Sequence, residues 1–251
     1  MLAIVSLPSA PPDSVTWISV AQMRDVDRVA METGLSLVRM MENAGASLAA
    51  MARELLGGDL TGRRVAVLSG PGGNGGGGLV CARRLAGSGA EVEVRLSTEP
   101  EVLSEVSREQ YQLLLELGIP VRVGGEDLAD PELFVDALLG YGQRGVPGDR
   151  IAGLIERTRD GRVLALDVPS GLELESGTAY EPGVGAEATM TLALPKRGLA
   201  SDQARERVGD LYLADIAIGT SVYDRLGIRY SPPFGPGPLL RLETKPHVSG
   251  A

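Results

Sequence analysis

Arg64-Val-Ala-Val-Leu-Ser-Gly-Pro-Gly-Gly-Asn-Gly-Gly-Gly-Gly-Leu-Val80 is a short apolar run that breaks into seven glycines and then resumes as a helical pattern. Val65 to Leu68 reads as a buried strand. The glycines from Gly70 to Gly78 would let the backbone turn sharply, reach positive φ and come close to a ligand. Leu79, Val80 and Leu85 then begin a helix whose free N–H groups and positive dipole end would face an anion, a phosphate or pyrophosphate for preference. Gly70-x-Gly72-x-x-Gly75 fits the dinucleotide fingerprint, with a strand before it and a helix after. Two parts of that pattern are missing: the next strand ends in Arg95 and Ser97 where an acid for the ribose hydroxyls is usual, and no Lys-Ser/Thr follows the glycines, which excludes a P-loop. The plainer alternative is a loop that only closes a tight strand-to-helix turn.

Outward from this stretch, strands are predicted near Val65–Ser69, Val92–Leu96, Val121–Val123, Phe134–Leu138, Val163–Leu166, Thr189–Leu194 and Leu211–Ala214, and helices near Leu79–Ala86, Val102–Leu117 and Ile151–Thr158. Apolar strands separated by helices imply a doubly wound, Rossmann-like α/β domain with a mainly parallel sheet and helices on both faces. The last two strands lack long intervening helices and could run antiparallel at an edge. Ahead of them, helical spacing starts at Ser19 and continues through Met23, Val26, Val29 and Met31, with a second helix from Leu37 to Met51. The methionine-rich face of these helices, Met23, Met31, Met40, Met41 and Met51, reads as core, with a homodimer interface as the alternative. The chain divides into an extension (1–16), one domain (17–230) and a Pro/Gly-rich tail (231–251). The only histidine, His247, lies in that tail and reads as solvated.

With 251 residues and 43% hydrophobic content, the chain supports one large core. A net charge of −9 argues against nucleic-acid or anionic-membrane partners. The single cysteine, Cys81, suits a reducing, cytoplasmic setting and reads as a packing residue. The expectation is a chain with no membrane span and no secretory leader.

In an open α/β sheet, ligands sit beyond the carboxyl ends of the strands. There the sequence places Asn74, then Asp136 in Phe134-Val-Asp-Ala-Leu-Leu-Gly-Tyr-Gly-Gln-Arg-Gly145, then Asp167 and Ser170 in Leu166-Asp-Val-Pro-Ser-Gly171. Asn74, Asp136 and Ser170 supply an amide oxygen, a carboxylate and a hydroxyl. This hard-oxygen set suits a monovalent or weakly held divalent cation and lacks the imidazole and thiolate that zinc prefers. The alternatives are a buried acid accepting backbone N–H groups at Asp136 and a turn-organising acid at Asp167. Asp167 is the better candidate for proton transfer.

Five segments in order, Met41-Glu-Asn-Ala-Gly45, Gly70 to Val80, Asp136-Ala-Leu-Leu-Gly-Tyr-Gly142, Leu166-Asp-Val-Pro-Ser-Gly-Leu172 and Leu194-Pro-Lys-Arg-Gly-Leu199, resemble the motifs of the NAD(P)H-hydrate epimerase family, the YjeF N-terminal domain. The resemblance runs from about Trp17 to Gly227. It implies an isomerase of nicotinamide nucleotide repair, acting on the R and S epimers of hydrated NADH and NADPH beside a separate or fused dehydratase. It implies potassium held by Asn74, Asp136 and Ser170. It also implies substrate contacts from Gly73, Asn74, Gly75, Gly76 and Gly77, from Gly140, Tyr141, Gly142, Gln143, Arg144, Gly145 and Val146, and from Asp167, which would lie near the reacting ring. The chain departs from the family's Asn-Asn-Gly-Gly-Asp-Gly loop at Gly73 and Gly77, losing a pocket acid at the latter. Gln143 stands where an apolar residue is usual. These departures keep a second class open, a nucleotide-metabolite-binding protein with little turnover. A metabolite kinase lacks its phosphate-binding lysine and base here.

Overall fold

The computed structural model describes residues 7–235 and 237–243; His247 lies outside them. A two-residue strand β1 (Ser9–Ala10) leads to helices α1 (Val20–Glu32) and α2 (Leu37–Leu55). The α1 start is written locally: Ser19 accepts from the Gln22 N–H while the Gln22 side chain accepts from the Ser19 N–H, a reciprocal cap. Next come β2 (Arg64–Ser69), α3 (Gly73–Ala86), β3 (Glu91–Leu96), α4 (Glu105–Glu116), β4 (Val121–Val123), β5 (Leu133–Ala137), α5 (Asp149–Glu156) and β6 (Val163–Leu166). A small hairpin of β7 (Leu172–Glu173) and β8 (Thr178–Ala179) precedes β9 (Ala188–Leu192), α6 (Asp202–Val208), β10 (Asp210–Ala214), α7 (Thr220–Arg225) and β11 (Leu239–Leu242).

The main sheet has nine strands in the order β1-β11-β10-β9-β6-β5-β2-β3-β4. From β10 to β4 every neighbour is parallel. Alternate residues feed opposite faces. Val65 and Val67 of β2 join Leu48, Leu79 and Leu85 of α2 and α3, while Ala66 and Leu68 join Phe134 and the α5 residues Leu154 and Ile155. The near-continuous apolar character of these strands follows from this two-sided burial. The chain runs outward from β2 to β4, then returns past β2 to β5, so the direction of winding switches between β2 and β5. A ligand crevice opens at such a point.

The expected antiparallel pairing of the last two strands is corrected: β9 and β10 are parallel, and the antiparallel partner of β10 is β11. That strand lies inside the segment set aside as a tail, where Leu240 and Leu242 are buried, and it also pairs with β1. A second correction concerns the glycines. Helix α3 begins at Gly73, so Gly75 to Gly78 form its first turns, and none of the glycines from Gly70 to Gly78 has a positive φ.

Candidate functional site

The glycines are explained by close approach rather than by turning. A Cβ at Gly70 would stand 1.8 Å from the Leu138 carbonyl oxygen, and one at Gly75 would stand 1.9 Å from that of Gly70. At Gly76 it would meet Met41 Cε at 2.4 Å, and at Gly78 Ala137 Cβ at 2.5 Å. Helix α2 contributes the reciprocal small residue, since a Cβ at Gly45 would meet Val80 at 2.5 Å. Bare backbone thus lets α3 settle against β2, β5 and α2, with its N-terminal residues Gly72, Gly73 and Asn74 in the wall of a pocket. The free N–H groups of this first turn suit an anionic ligand.

The pocket holds about 680 Å³. Strand ends form its floor, and Met23, Met31, Met40 and Met41 of α1 and α2 form one apolar side. The methionine stripe is therefore partly pocket wall: Met23, Met40, Met41 and Met51 are buried, while Met31 is 48% exposed.

At the floor, Asp136 is fully buried at the end of β5. One oxygen accepts from the Ser170 backbone N–H at 2.7 Å, and the other from the Ser170 hydroxyl at 2.7 Å and the Leu138 N–H at 3.2 Å. Burial pushes its carboxyl up to about 6, the Ser170 and Leu138 hydrogen bonds opposing that rise. The Ser170 hydroxyl in turn accepts from the Leu139 N–H at 3.0 Å. Asn74 Nδ2 donates to the carbonyls of Leu139 at 2.9 Å and Leu166 at 3.3 Å. The structure thus brings Asn74, Asp136 and Ser170 to one place and adds two carbonyl oxygens to the group. Half a turn of the Asn74 amide would set its oxygen beside those carbonyls, where a cation would offset the crowding of oxygens. Five oxygen donors with one formal charge fit a weakly charged, hard cation. Among the described residues no group of three His, Cys, Asp or Glu side chains could hold a metal ion.

Asp167, just past β6, is held at φ +67°. That left-handed backbone is uncommon and strained for a residue with a side chain, and such strain clusters at functional sites. Its Oδ1 accepts from Lys196 Nζ at 2.6 Å and from the Thr191 hydroxyl at 3.2 Å, and its Oδ2 from the Tyr141 backbone N–H at 3.2 Å. Lys196 is itself buried and also donates to the Leu192 carbonyl at 3.0 Å. Removing one member of so buried a pair would leave an uncompensated charge. The chain around Lys196 is pinned by Ile18, ahead of α1, whose N–H donates to the Pro195 carbonyl and whose carbonyl accepts from the Arg197 N–H. The Tyr141 hydroxyl donates to Asp27 of α1. Burial first, then the Asp27 and Asp167 charges, raises the Tyr141 phenol, so it serves as a neutral donor.

Of the residues expected at the substrate, Gly73, Asn74, Gly77, Gly140, Tyr141, Gly142, Gln143 and Asp167 line the pocket. Gly75 and Gly76 are packed behind it. Arg144 pairs with Glu175 and reaches toward Glu173, the Gly145 N–H donates to Glu173, and Val146 is exposed, so these three stand off the pocket wall. Gln143 Oε1 accepts from the Gly171 N–H at 2.9 Å, tying the Gly140–Gly145 segment to the loop that carries Ser170. Cys81 is buried, and desolvation raises its thiol, as a packing residue requires. Lys196 and Asp27 are the residues that reading from sequence left outside the site.

The model of the YjeF-related protein N-terminus matches residues 38–198. An NAD(P)H-hydrate epimerase of Dehalogenimonas lykanthroporepellens is 41% identical over 93% of this chain and 96% of its own length. Bifunctional NAD(P)H-hydrate repair enzymes of Thermofilum pendens and Moorella thermoacetica are 35% and 34% identical over 79% and 80% of this chain, which spans 39% and 40% of their length. A yeast protein of known crystal structure superposes with a TM-score of 0.78 at 24% identity, over 91% of this chain and all of its own, a likeness of fold.

Proposed function

The chain belongs to the YjeF-related protein N-terminus family, and on that premise we propose that it is an NAD(P)H-hydrate epimerase, an isomerase interconverting the R and S epimers of hydrated NADH and NADPH. One observation carries the reading: the buried Asp167–Lys196 pair and the open first turn of α3 share one pocket. The helix end suits the phosphates of a nicotinamide nucleotide, and the carboxylate suits proton transfer at its ring.

Inverting one carbon requires a bond at that carbon to break and to re-form on the opposite face, with no atom gained or lost. Where that bond opens with loss of a proton, a base takes the proton and returns it as the bond re-forms. Lys196 and Thr191 occupy Asp167 Oδ1, so Oδ2, which meets only the Tyr141 N–H at 3.2 Å, is the oxygen with capacity for that proton. The apolar methionine side limits water around the ring and strengthens each charge interaction within.

The same reading assigns potassium to Asn74, Asp136 and Ser170, helped by the Leu139 and Leu166 carbonyls. When bound, potassium supplies positive charge that binds three strand-end loops together beside the substrate. Substrate contacts are assigned to Gly73, Asn74, Gly77 and the 140–143 segment. Fused relatives suggest that a dehydratase, on a separate chain or in a further domain, consumes the S epimer. Among the described residues no helix is long and apolar enough to cross a membrane, and the lone buried thiol fits a cytoplasmic setting. Incubating a chromatographically pure R hydrate with the protein in potassium buffer tests the proposal: appearance of the S form above the spontaneous rate supports it, and a composition drifting only at that rate contradicts it.

A further inference from the structure

We propose that Asp27, on α1 and outside the segment matched by the family model, is a positioning residue for the epimerisation assigned above, holding Tyr141 so that its backbone N–H stays on Asp167. Asp27 shares the pocket-facing side of α1 with Met23, Arg24 and Met31. Its Oδ2 takes the Tyr141 hydroxyl, the Tyr141 N–H reaches Asp167 Oδ2 at 3.2 Å, and the Tyr141 ring stands 5.6 Å from Lys196 Nζ. One tyrosine therefore joins a helix carboxylate to both members of the buried pair, through its hydroxyl, its ring and its backbone N–H. The segment around it has no regular structure and contains three glycines, Gly140, Gly142 and Gly145, so its backbone is soft unless side chains tether it. Four side-chain tethers hold it: Arg144 on Glu175, Glu173 on the Gly145 N–H, Gln143 Oε1 on the Gly171 N–H, and Tyr141 on Asp27. Only the last lies directly on the residue whose N–H contacts Asp167. A half-buried carboxylate facing Asp167 across the pocket opposes folding through desolvation and like charge, which its phenol hydrogen bond and Lys196 offset. A helix whose task was only to cover the sheet would need no such group.

The test is a double-mutant cycle read in two ways on the intact protein. Asp27→Ala and Tyr141→Phe should each lower the rate of R-to-S conversion about tenfold to a hundredfold, as sub-ångström misplacement of reacting groups does. The double variant should fall no more than about threefold below either single one, because both break the same tether. Asp27→Asn keeps an oxygen that accepts from the phenol and should recover most of the loss. Independently of turnover, amide hydrogen exchange across 140–145 should quicken in Asp27→Ala and Tyr141→Phe and stay slow in Asp27→Asn. Rate losses that multiply in the double variant, or unchanged exchange in both single ones, would overturn the proposal. A wild-type protein without turnover would defeat the epimerase reading instead, and the exchange arms would still judge the tether. If Asp27→Ala fails to fold, Tyr141→Phe carries the same comparison alone.

Discussion

Asp167 and Asp136 do different work because their surroundings differ. Asp167 faces an ammonium group across 2.6 Å inside the pocket, whereas Asp136 is surrounded by three hydrogen-bond donors from Ser170 and Leu138. Replacing Asp167 by Asn removes the proposed base and leaves the buried Lys196 charge without its carboxylate, so turnover should fall by about 10² to 10⁴ and the melting temperature should drop with it, while ligand affinity falls far less than turnover. Equal losses of affinity and turnover, read from titration and kinetics, would make it a positioning group. Asp136 has a pH signature. Its folded pKa, about 6, lies above the ordinary 3.8, so the folded state holds the proton more tightly than the unfolded chain. In potassium-free buffer the contribution of Asp136 to stability should therefore fall as pH rises from about 4 to about 6, by about 3 kcal/mol, and level off above, read as the difference between the unaltered chain and Asp136→Asn. A cation on the carboxylate reverses this cost, so potassium should raise the melting temperature more at pH 7 than at pH 5, and not at all in Asp136→Ala. Melting that is indifferent to potassium and sodium alike in the unaltered chain would refute the cation assignment. Both acids were legible in the sequence because a charge interrupting an apolar strand end needs a reason. Lys196 was legible only as part of the Leu194–Leu199 motif, and its burial beside Asp167 depends on Ile18 pinning the backbone from far away in the chain. Nothing in the local sequence marks Asp27, one charged residue among several between the apolar positions of α1.

At the scale of elements, α3 shows where local propensity misleads. Four successive glycines are poor helix formers, each about 1 kcal/mol worse than alanine, so the sequence reads as a loop until Leu79. The helix nonetheless begins at Gly73, because its early turns press on Gly70, Met41 and Ala137 too closely for side chains. The packing that overrides propensity is not local, and a single sequence does not display it. Two substitutions separate packed from open positions. Gly75→Ala drives a Cβ into a backbone oxygen at 1.9 Å and should cost about 3 kcal/mol, seen as a clear drop in melting temperature. Gly77→Asp meets only Leu166 Cδ2 at 2.9 Å, the movable end of a side chain. It should fold with a loss within about 1 kcal/mol and place a carboxylate in the pocket wall. If the missing acid limits the rate, that variant should turn over faster; an unchanged rate would show that other groups already serve.

Across the whole molecule, the parallel order from β4 to β10 places every strand end named as a candidate on one rim of the sheet, which explains how much of the site is readable in the sequence. Strand-and-helix alternation located β2 to β6 within a residue or two. The edge was not readable, because β11 is a strand of four residues following a proline-rich stretch, too short for its alternation to stand out. It matters to the fold all the same. Leu239, Leu240 and Leu242 are buried, and β11 bridges β1 and β10. Ending the chain before Leu239 should remove about 5 kcal/mol and expose the β10 edge to aggregation. Chemical denaturation and light scattering would show both; an equally stable, monodisperse shortened chain would make β11 dispensable.

The most direct measurement couples the protein, in potassium buffer, to an S-specific dehydratase and supplies mixed R and S hydrates of NADH. The account predicts that both epimers vanish faster than R converts spontaneously, and that Asp167→Asn abolishes the acceleration. If the S form is consumed and R lingers at its spontaneous rate with the unaltered protein, the epimerase assignment is wrong.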